Sequence, residues 1–582
     1  MWRSLPAWSR GHLAESAIGH FLATRPCALD RPWPRLATIA SIVPIITGRS
    51  LVATTRGIVA ASSPLAAQAG AQMLARGGHA VDAAIAANAV LGLVEPYMNG
   101  MGGDLFAMVY EAGRDALHGL NASGPAPGGL SPDLIRRRGM AAMPATGIHS
   151  VTVPGAVGGW AALHGRFGRL PLADVLAPAV FYAEDGFPVA PVVAEGWAAL
   201  EDAVAGDPTA AATYLPGGQA PAAGTIFRNP DLARSLRLIG EHGAAAFYRG
   251  PIADAIVSLS QASGGTMTAI DLSSFEPEWV EPVSTTYRGW TVYELPPNTQ
   301  GIAALMMPDL MEPAPLARYG LHSVDALHTM IEAKKLAYAD MLRWVGDPRF
   351  AAAPVPALLA KARAARRAAA IDMQWAAADV EPDRLAGLTT GPGGDTVYLS
   401  AIDRDGNIVS LIQSIFQGFG SGLVAPGTGF ALQNRGALFT LEPGHPNELA
   451  PGKRPLHTII PGFMRKDRVR VGFGIMGGFN QAQAHAQFVA NVADFDLDIQ
   501  QALEAGRFTK PTFTGLDVSV EETIPEASRR GLVARGHQVF AVPPRTHVFG
   551  YGQAVMSDGT GVHFGASEPR HDGAAIPEPT PM

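Results

Sequence analysis

Thr389-Thr-Gly-Pro-Gly-Gly-Asp-Thr-Val-Tyr-Leu-Ser-Ala-Ile402 is the stretch that decides the fold. A glycine-rich loop, 389–394, leads to Asp395, and Thr396 opens a run that reads as a strand as far as Ile402. Asp403-Arg-Asp-Gly-Asn407 then reads as a hairpin turn, with a second strand from Ile408 to Ile415. The same turn looks like the start of a calcium loop. It lacks the third acidic ligand before the glycine and the closing glutamate, so a hairpin is expected.

Towards the N-terminus the texture changes. Folded sequence is expected from Gly57. Ser63-Pro64 offers an N-cap followed by proline at the first helical position, and Gly77-Gly78 a stop. A second helix runs from Val81 to Val94 and ends before Glu95-Pro96. Apart from Arg76 and Asp82 the pair is nearly free of charge, as helices buried between layers are. The turn Asn99-Gly-Met-Gly-Gly-Asp104 leads into a strand from Leu105 to Tyr110. The middle, from Leu130 to Arg384, reads as mostly helical, with 351–383 as an exposed, arginine-rich helical arm. Beyond the hairpin come a strand around Val469–Phe473, helices near Gln483–Ala493 and Gln500–Glu504, and a closing hairpin from Gly550 to Phe564.

Composition narrows the class. Hydrophobic residues make up 47% and charged residues 16% of the 582, a globular balance. A formal charge of −7 gives no footprint for nucleic acid or an anionic membrane. Cys27 is the only cysteine, which excludes a disulfide framework and any multi-thiolate metal site. No apolar run reaches the roughly 20 residues a membrane-spanning helix needs. Residues 1–50 read as an N-terminal extension of uncertain status. Their apolar run is broken by His12, Glu15 and His20, and Leu36 to Thr47 precedes no A-x-A site. Cytoplasm is the default location, with the periplasm as the alternative.

Chemistry enters at Asp395–Thr396. Cleavage of that bond would leave Thr396 with a free α-amine beside its own hydroxyl. Such an amine has an unperturbed pKa of about 7.7–8.0, so it can take the hydroxyl proton near neutral pH. Nucleophile and base then share one residue, and no histidine relay is needed. Taken alone, Gly393-Gly394-Asp395-Thr396 is a common turn before a strand; its context gives it weight.

From Gly57 to Phe564 the chain resembles the gamma-glutamyltransferase family. Gly77-Gly-His-Ala-Val-Asp-Ala-Ala84, Met101-Gly-Gly-Asp104 and Val153-Pro-Gly-Ala-Val-Gly-Gly-Trp160 match large-subunit motifs. Asp403-Arg-Asp-Gly-Asn407, Phe419-Gly-Ser-Gly422, Pro451-Gly-Lys-Arg-Pro455 and Met476-Gly-Gly478 recur in the small subunit's order. Within the family the likeness is to the oxamate amidohydrolase and cephalosporin-acylase branch. It implies an α+β, four-layer αββα sandwich of the Ntn-hydrolase type, cut by itself into a large subunit (51–395) and a small one (396–582). Thr396 would be the nucleophile, Gly477 and Gly478 the oxyanion donors, and Ser414 a hydroxyl that bonds the nucleophile and assists processing. One processed heterodimer or a pair of them are both open.

Several family contacts to a glutamyl zwitterion are missing. Ala122 or Ser123 stands where an arginine is expected, Phe416 replaces an asparagine, Leu438 an aspartate, and His457-Thr458 a serine pair. An ammonium desolvated there would lack a charged partner. Arg435, in Leu432-Gln-Asn-Arg-Gly436, adds a charge. It suits a substrate carboxylate, or else serves a structural ion pair. With His457 and Thr458 as pocket-wall groups it would select a small acidic acyl amide. Phe479 and Asn480 depart from the M-G-G-D-M pattern of that branch. His485 reads as a satisfied helix histidine, and neither a metal nor a cofactor is called for. A genuine gamma-glutamyltransferase and an unprocessed binding protein are the competing expectations.

Overall fold

The protein is described by a computed structural model over residues 48–380, 395–544 and 546–580. Most of the N-terminal extension, 1–47, and the glycine loop 389–394 lie outside the described residues. Folded structure begins before Gly57. Strand β1 (Val52–Thr54) pairs with His563–Gly565, and Arg49 N–H donates to Glu504 Oε1 at 3.0 Å. Residues 48–50, expected in the extension, are therefore tied to the body.

Pro64 starts helix α1 (Pro64–Ala75) as its sequence predicts, and Gly77 follows with φ +86°. Helix α2 (Ala80–Val94) opens with a reciprocal cap: Val81 N–H donates to His79 Nδ1 at 3.1 Å, and His79 N–H to Asp82 Oδ2 at 2.8 Å. Every residue of α2 except Gly92 is buried, which accounts for its lack of charge.

Two seven-stranded antiparallel sheets form the centre. The first holds β2 (Ile58–Ala61), β3 (Asp104–Glu111), β4 (Ala116–Ala122) and β5 (Glu278–Val280), then β8 (Asp395–Ile402), β9 (Ile408–Phe416) and β14 (Ala574–Pro577). Their order is β14-β2-β8-β9-β3-β4-β5. The second holds β1 with β6 (Val283–Tyr287), β7 (Trp290–Glu294), β10 (Gly462–Lys466), β11 (Val469–Ile475), β12 (Gly552–Ser557) and β13 (His563–Ser567). Its order is β1-β13-β12-β11-β10-β7-β6. Helices α1 and α2 pack on the first sheet; α3 (Gly301–Met311) and α5 (Asn480–Ala493) pack on the second, with α4 (Val324–Trp344) against α3.

Alternation along β8 divides its side chains between two apolar clusters. Val397, Leu399 and Ala401 join the apolar core under α1 and α2, each Val or Leu there stabilising by about 1.5–3 kcal/mol. Tyr398 and Ile402 face the other way and meet Phe463 and Val555 of the second sheet. Gly474 makes room for Tyr398, since a Cβ on it would lie 2.4 Å from that ring. Thr396 stands just before this regular alternation, where the ladder register shifts.

The hairpin after β8 is the one expected. Asp403 Oδ1 accepts from Asp405 N–H and Asn407 N–H, both at 3.0 Å, and Oδ2 accepts from Ala80 N–H at 3.1 Å, so backbone donors occupy this carboxylate. The middle segment is mostly helical as expected, with strands among the helices. It contributes β5–β7, and β6 and β7 are joined by Arg288 and Gly289 at φ +49° and +82°, a turn whose twist suits two strands. The segment 351–380 is largely exposed and partly helical as expected, and ion pairs tie it to the body: Lys361 Nζ lies 2.6 Å from Asp309 Oδ1, and Arg363 Nη2 2.8 Å from Asp340 Oδ2.

Candidate active site

Thr396 sits at an irregularity in the β8–β9 ladder, between the pairs Asp395–Phe416 and Val397–Gln413. A bulge of this kind re-aims a side chain. The residue is 1% exposed, and its hydroxyl has no hydrogen-bond partner among the described residues. In the continuous chain its nitrogen is still an amide, so the hydroxyl has no base of its own.

Ser414 lies across the ladder on β9, and its Oγ accepts from Phe416 N–H at 2.7 Å and from Arg435 Nη2 at 2.9 Å. Arg435 Nη1 donates to Thr458 Oγ1 at 2.7 Å, and the guanidinium carbon stands 4.4 Å from the centre of the Phe416 ring. Phe416 adopts φ +83° to place that ring. The guanidinium is fully buried, Nε has no acceptor, and no carboxylate lies within ion-pair distance among the described residues. Burial draws it down to about 9, against the opposing field of Asp104. Of the two roles read from sequence for Arg435, the direct ion pair is not the one formed.

Behind this line lies a residue to which the sequence assigned no role. Asp104 opens β3 opposite Ser414. Its Oδ1 accepts from Gly124 N–H at 3.0 Å, Gly155 N–H at 3.1 Å and Gln433 Nε2 at 2.9 Å, while Oδ2 lies 3.0 Å from His457 Nε2. Gly103 can have no side chain, because a Cβ would lie 2.3 Å from Ser414 O. Burial raises the Asp104 carboxyl to about 7, although Arg435 and these donors pull it down. His457 is held well below its ordinary value by burial and by Arg435, so it is neutral. Its Nδ1 takes the Ile459 N–H at 3.4 Å, leaving Nε2 to give its proton to Asp104. The ring thus has no N–H left for a pocket wall.

Asp104→Ala would orphan the Gly124 N–H and the His457 Nε2–H and leave the buried Arg435 without its nearby carboxylate, while Gly155 N–H and Gln433 Nε2 keep second acceptors in Gly103 O and Thr152 Oγ1. A loss of about 3–5 kcal/mol in unfolding free energy is expected, read from urea melts; a loss below about 1 would contradict the keystone role. The sign with pH follows. The folded value lies above the unfolded one, so the wild-type penalty is relieved as pH falls through about 7 towards 4.

Strand β11 delivers Gly477 and Gly478 at φ +123° and +59°. Neither N–H finds an acceptor among the described residues. Gly477 O accepts from Asn480 N–H at 2.9 Å, and Gly478 O from Gln300 Nε2 at 2.8 Å. Gln300 Nε2 also donates to Thr458 O, which connects the glycine turn to the Arg435 line. His485 is satisfied as expected, with Nδ1 2.7 Å from Glu294 Oε1 and Nε2 accepting from Ile475 N–H at 3.1 Å. Ser123, which with Ala122 stands where an arginine is expected, is buried and donates to Asn121 Oδ1 at 2.7 Å.

The fold also groups His328, Glu332 and His537, whose ligand atoms lie within 4.8 Å of one another, a cluster that the sequence reading did not find. His328 Nδ1 and His537 Nε2 are 2.8 Å apart, and Lys335 Nζ is 2.6 Å from Glu332 Oε1. A shared proton and an ammonium occupy those atoms.

A sequence profile described as Gamma-glutamyltranspeptidase matches residues 66–578. The chain is 36% identical over 529 residues to the glutathione hydrolase-like YwrD proenzyme of Bacillus subtilis (strain 168), covering 90% of this chain and 98% of that one. It is 34% identical over 534 residues to the oxamate amidohydrolase proenzyme of Klebsiella pneumoniae, covering 90% and 98%. Among solved structures, cephalosporin acylase from Bacillus halodurans aligns with a TM-score of 0.85 at 42% identity, covering 93% of this chain and 99% of that one.

Proposed function

Because the chain belongs to the gamma-glutamyltranspeptidase family, as a hydrolase acting on amide bonds and made as a proenzyme, we propose a specific course for its maturation and chemistry. The two sheets and their helices make an αββα sandwich, and the precursor cuts itself between Asp395 and Thr396 into segments 51–395 and 396–582. The freed α-amine takes the Thr396 hydroxyl proton as Oγ1 attacks a substrate amide carbon. Gly477 and Gly478 N–H groups hold the oxyanion; the C–N bond breaks, and the amine passes its proton to the leaving nitrogen. Water then adds to the acyl carbon, the Oγ1–acyl bond breaks, and Thr396 regains its proton. In the uncut chain Ser414 Oγ accepts from Phe416 N–H and Arg435, and the Thr396 hydroxyl has no partner among the described residues, so the orienting role of Ser414 is assigned to the cleaved enzyme.

For substrate, we propose a small amide whose acyl part carries a carboxylate, oxamate being the smallest case. One observation carries this reading: among the described residues Arg435 is a fully buried cation hydrogen-bonded only to the hydroxyls of Ser414 and Thr458, beside the nucleophile's strand. An entering carboxylate supplies the missing counter-charge. Thr458 steadies the guanidinium, and His457 acts through Asp104 on the frame. The names of several relatives favour a second reading, glutathione hydrolysis, although Ala122, Phe416 and Leu438 offer nothing to a substrate ammonium.

A substrate panel separates the two. Ammonia release from oxamate and p-nitroaniline release from succinyl and glutaryl anilides are compared with release from the γ-glutamyl anilide. The acidic acyl amides are expected to exceed the γ-glutamyl anilide at least about tenfold in kcat/KM, the discrimination worth about 1.4 kcal/mol of an unpaired ammonium. The reverse order would transfer the function to the second reading.

A further inference from the structure

We propose that Gln300 is a positioning residue, contributed by the segment before the cut, that aims the oxyanion donors of the segment after it. This rests on the reading in which Gly477 and Gly478 receive the oxyanion. Gln300 precedes α3 and is fully buried. Its backbone N–H donates to His457 O at 2.9 Å, and its Nε2 donates both to Thr458 O and, at 2.8 Å, to Gly478 O. Two carbonyl acceptors fix which end of the amide is which, since only the NH2 group has two protons to give. The segment is itself held: His457 N–H donates to Asn298 O at 2.8 Å, and Asn298 Nδ2 to Pro455 O at 2.8 Å.

A glycine pair needs such a hold because, without side chains, the intervening peptide plane turns at little steric cost. The Gly478 N–H shares a plane with Gly477 O, which Asn480 N–H holds at 2.9 Å. The next plane carries Gly478 O, which accepts from Gln481 N–H at 3.2 Å and, more closely, from Gln300 Nε2 at 2.8 Å. With both planes flanking Gly478 fixed, its N–H keeps one direction. Tyr338 Oη adds an anchor on Phe479 O, again from before the cut. Through Thr458, which also holds Arg435, the same amide links acyl selection to the oxyanion turn.

The test is Gln300→Met, which keeps the length and removes both donors. On glutaryl p-nitroanilide kcat is expected to fall about 10²-fold, the lower end for a lost oxyanion donor, with KM changed less than about threefold. A boronic acid analogue of the glutaryl group, whose tetrahedral adduct puts an oxygen at the oxyanion position, should weaken by a similar factor. Glutarate, which meets the acyl pocket alone, should inhibit as before. Gln300→Glu covers a methionine variant that does not fold: its protonated acid returns one donor, so its kcat deficit should grow as pH rises. Unchanged kcat and boronate affinity in either folded variant would overturn the proposal. So would equal weakening of boronate and glutarate, the mark of a merely structural role. A wild-type enzyme that hydrolyses the anilide yet ignores the boronate would remove the oxyanion reading itself, and this inference with it.

Discussion

Thr396→Ala protein is expected to accumulate uncut and to show no measurable turnover. Alanine has no hydroxyl to attack either the preceding carbonyl or a substrate, so maturation and catalysis fail together. Removing a nucleophile costs about 10⁴- to 10⁶-fold in kcat. Unfolding is not the cause, because alanine fits a buried strand position and the hydroxyl it removes has no partner among the described residues. An unchanged melting temperature checks this. Thr396→Ser, which keeps the oxygen, should still cut, and a Thr396→Ala protein that cleaves itself at the same bond would sink the mechanism.

Arg435→Met separates function from stability. Loss of the buried guanidinium removes the counter-charge proposed for an acidic acyl group, and kcat/KM on oxamate or glutaryl anilide should fall about 10²- to 10³-fold, the worth of a charge-assisted pair. Stability should move the other way or not at all. Arg435 is held down to about 9 by burial, so at neutral pH its charge is a penalty on the folded state. That penalty lessens only as pH rises above about 9, while the unfolded side chain stays protonated. A melting temperature no lower than wild type at pH 7, with activity lost, is the expected pair of results. A large fall in melting temperature with activity on neutral acyl anilides lost in parallel would make Arg435 a structural cation instead.

What the sequence disclosed follows the range of its signals. The strand–turn–strand from Thr396 to Phe416 and the helix pair 64–94 were legible because each is specified by neighbours: Asp403 caps its own turn, and His79 and Asp82 cap their own helix. Strands β6 and β7 were missed although Val283, Thr285, Thr286 and Val292, with Gly289 between the runs, carry the pattern. The helical runs around them drowned it. Asp104 was visible as a polar residue at the head of an apolar strand, but its partners Gly124, Gly155, Gln433 and His457 come from four other places in the chain. Gln300 gave no local sign, since its side-chain acceptors are two backbone carbonyls more than 150 positions away, at separations of 158 and 178. For His457 the residue type was noticed and its surroundings were not: a neutral ring spent on Asp104 cannot be told in sequence from one lining a pocket.

Intact mass with N-terminal sequencing of the purified wild-type protein tests the central claim most directly. Two fragments, the smaller beginning Thr396-Val-Tyr, are the predicted result. A single chain that stays whole for days, or a cut at any other bond, would contradict it.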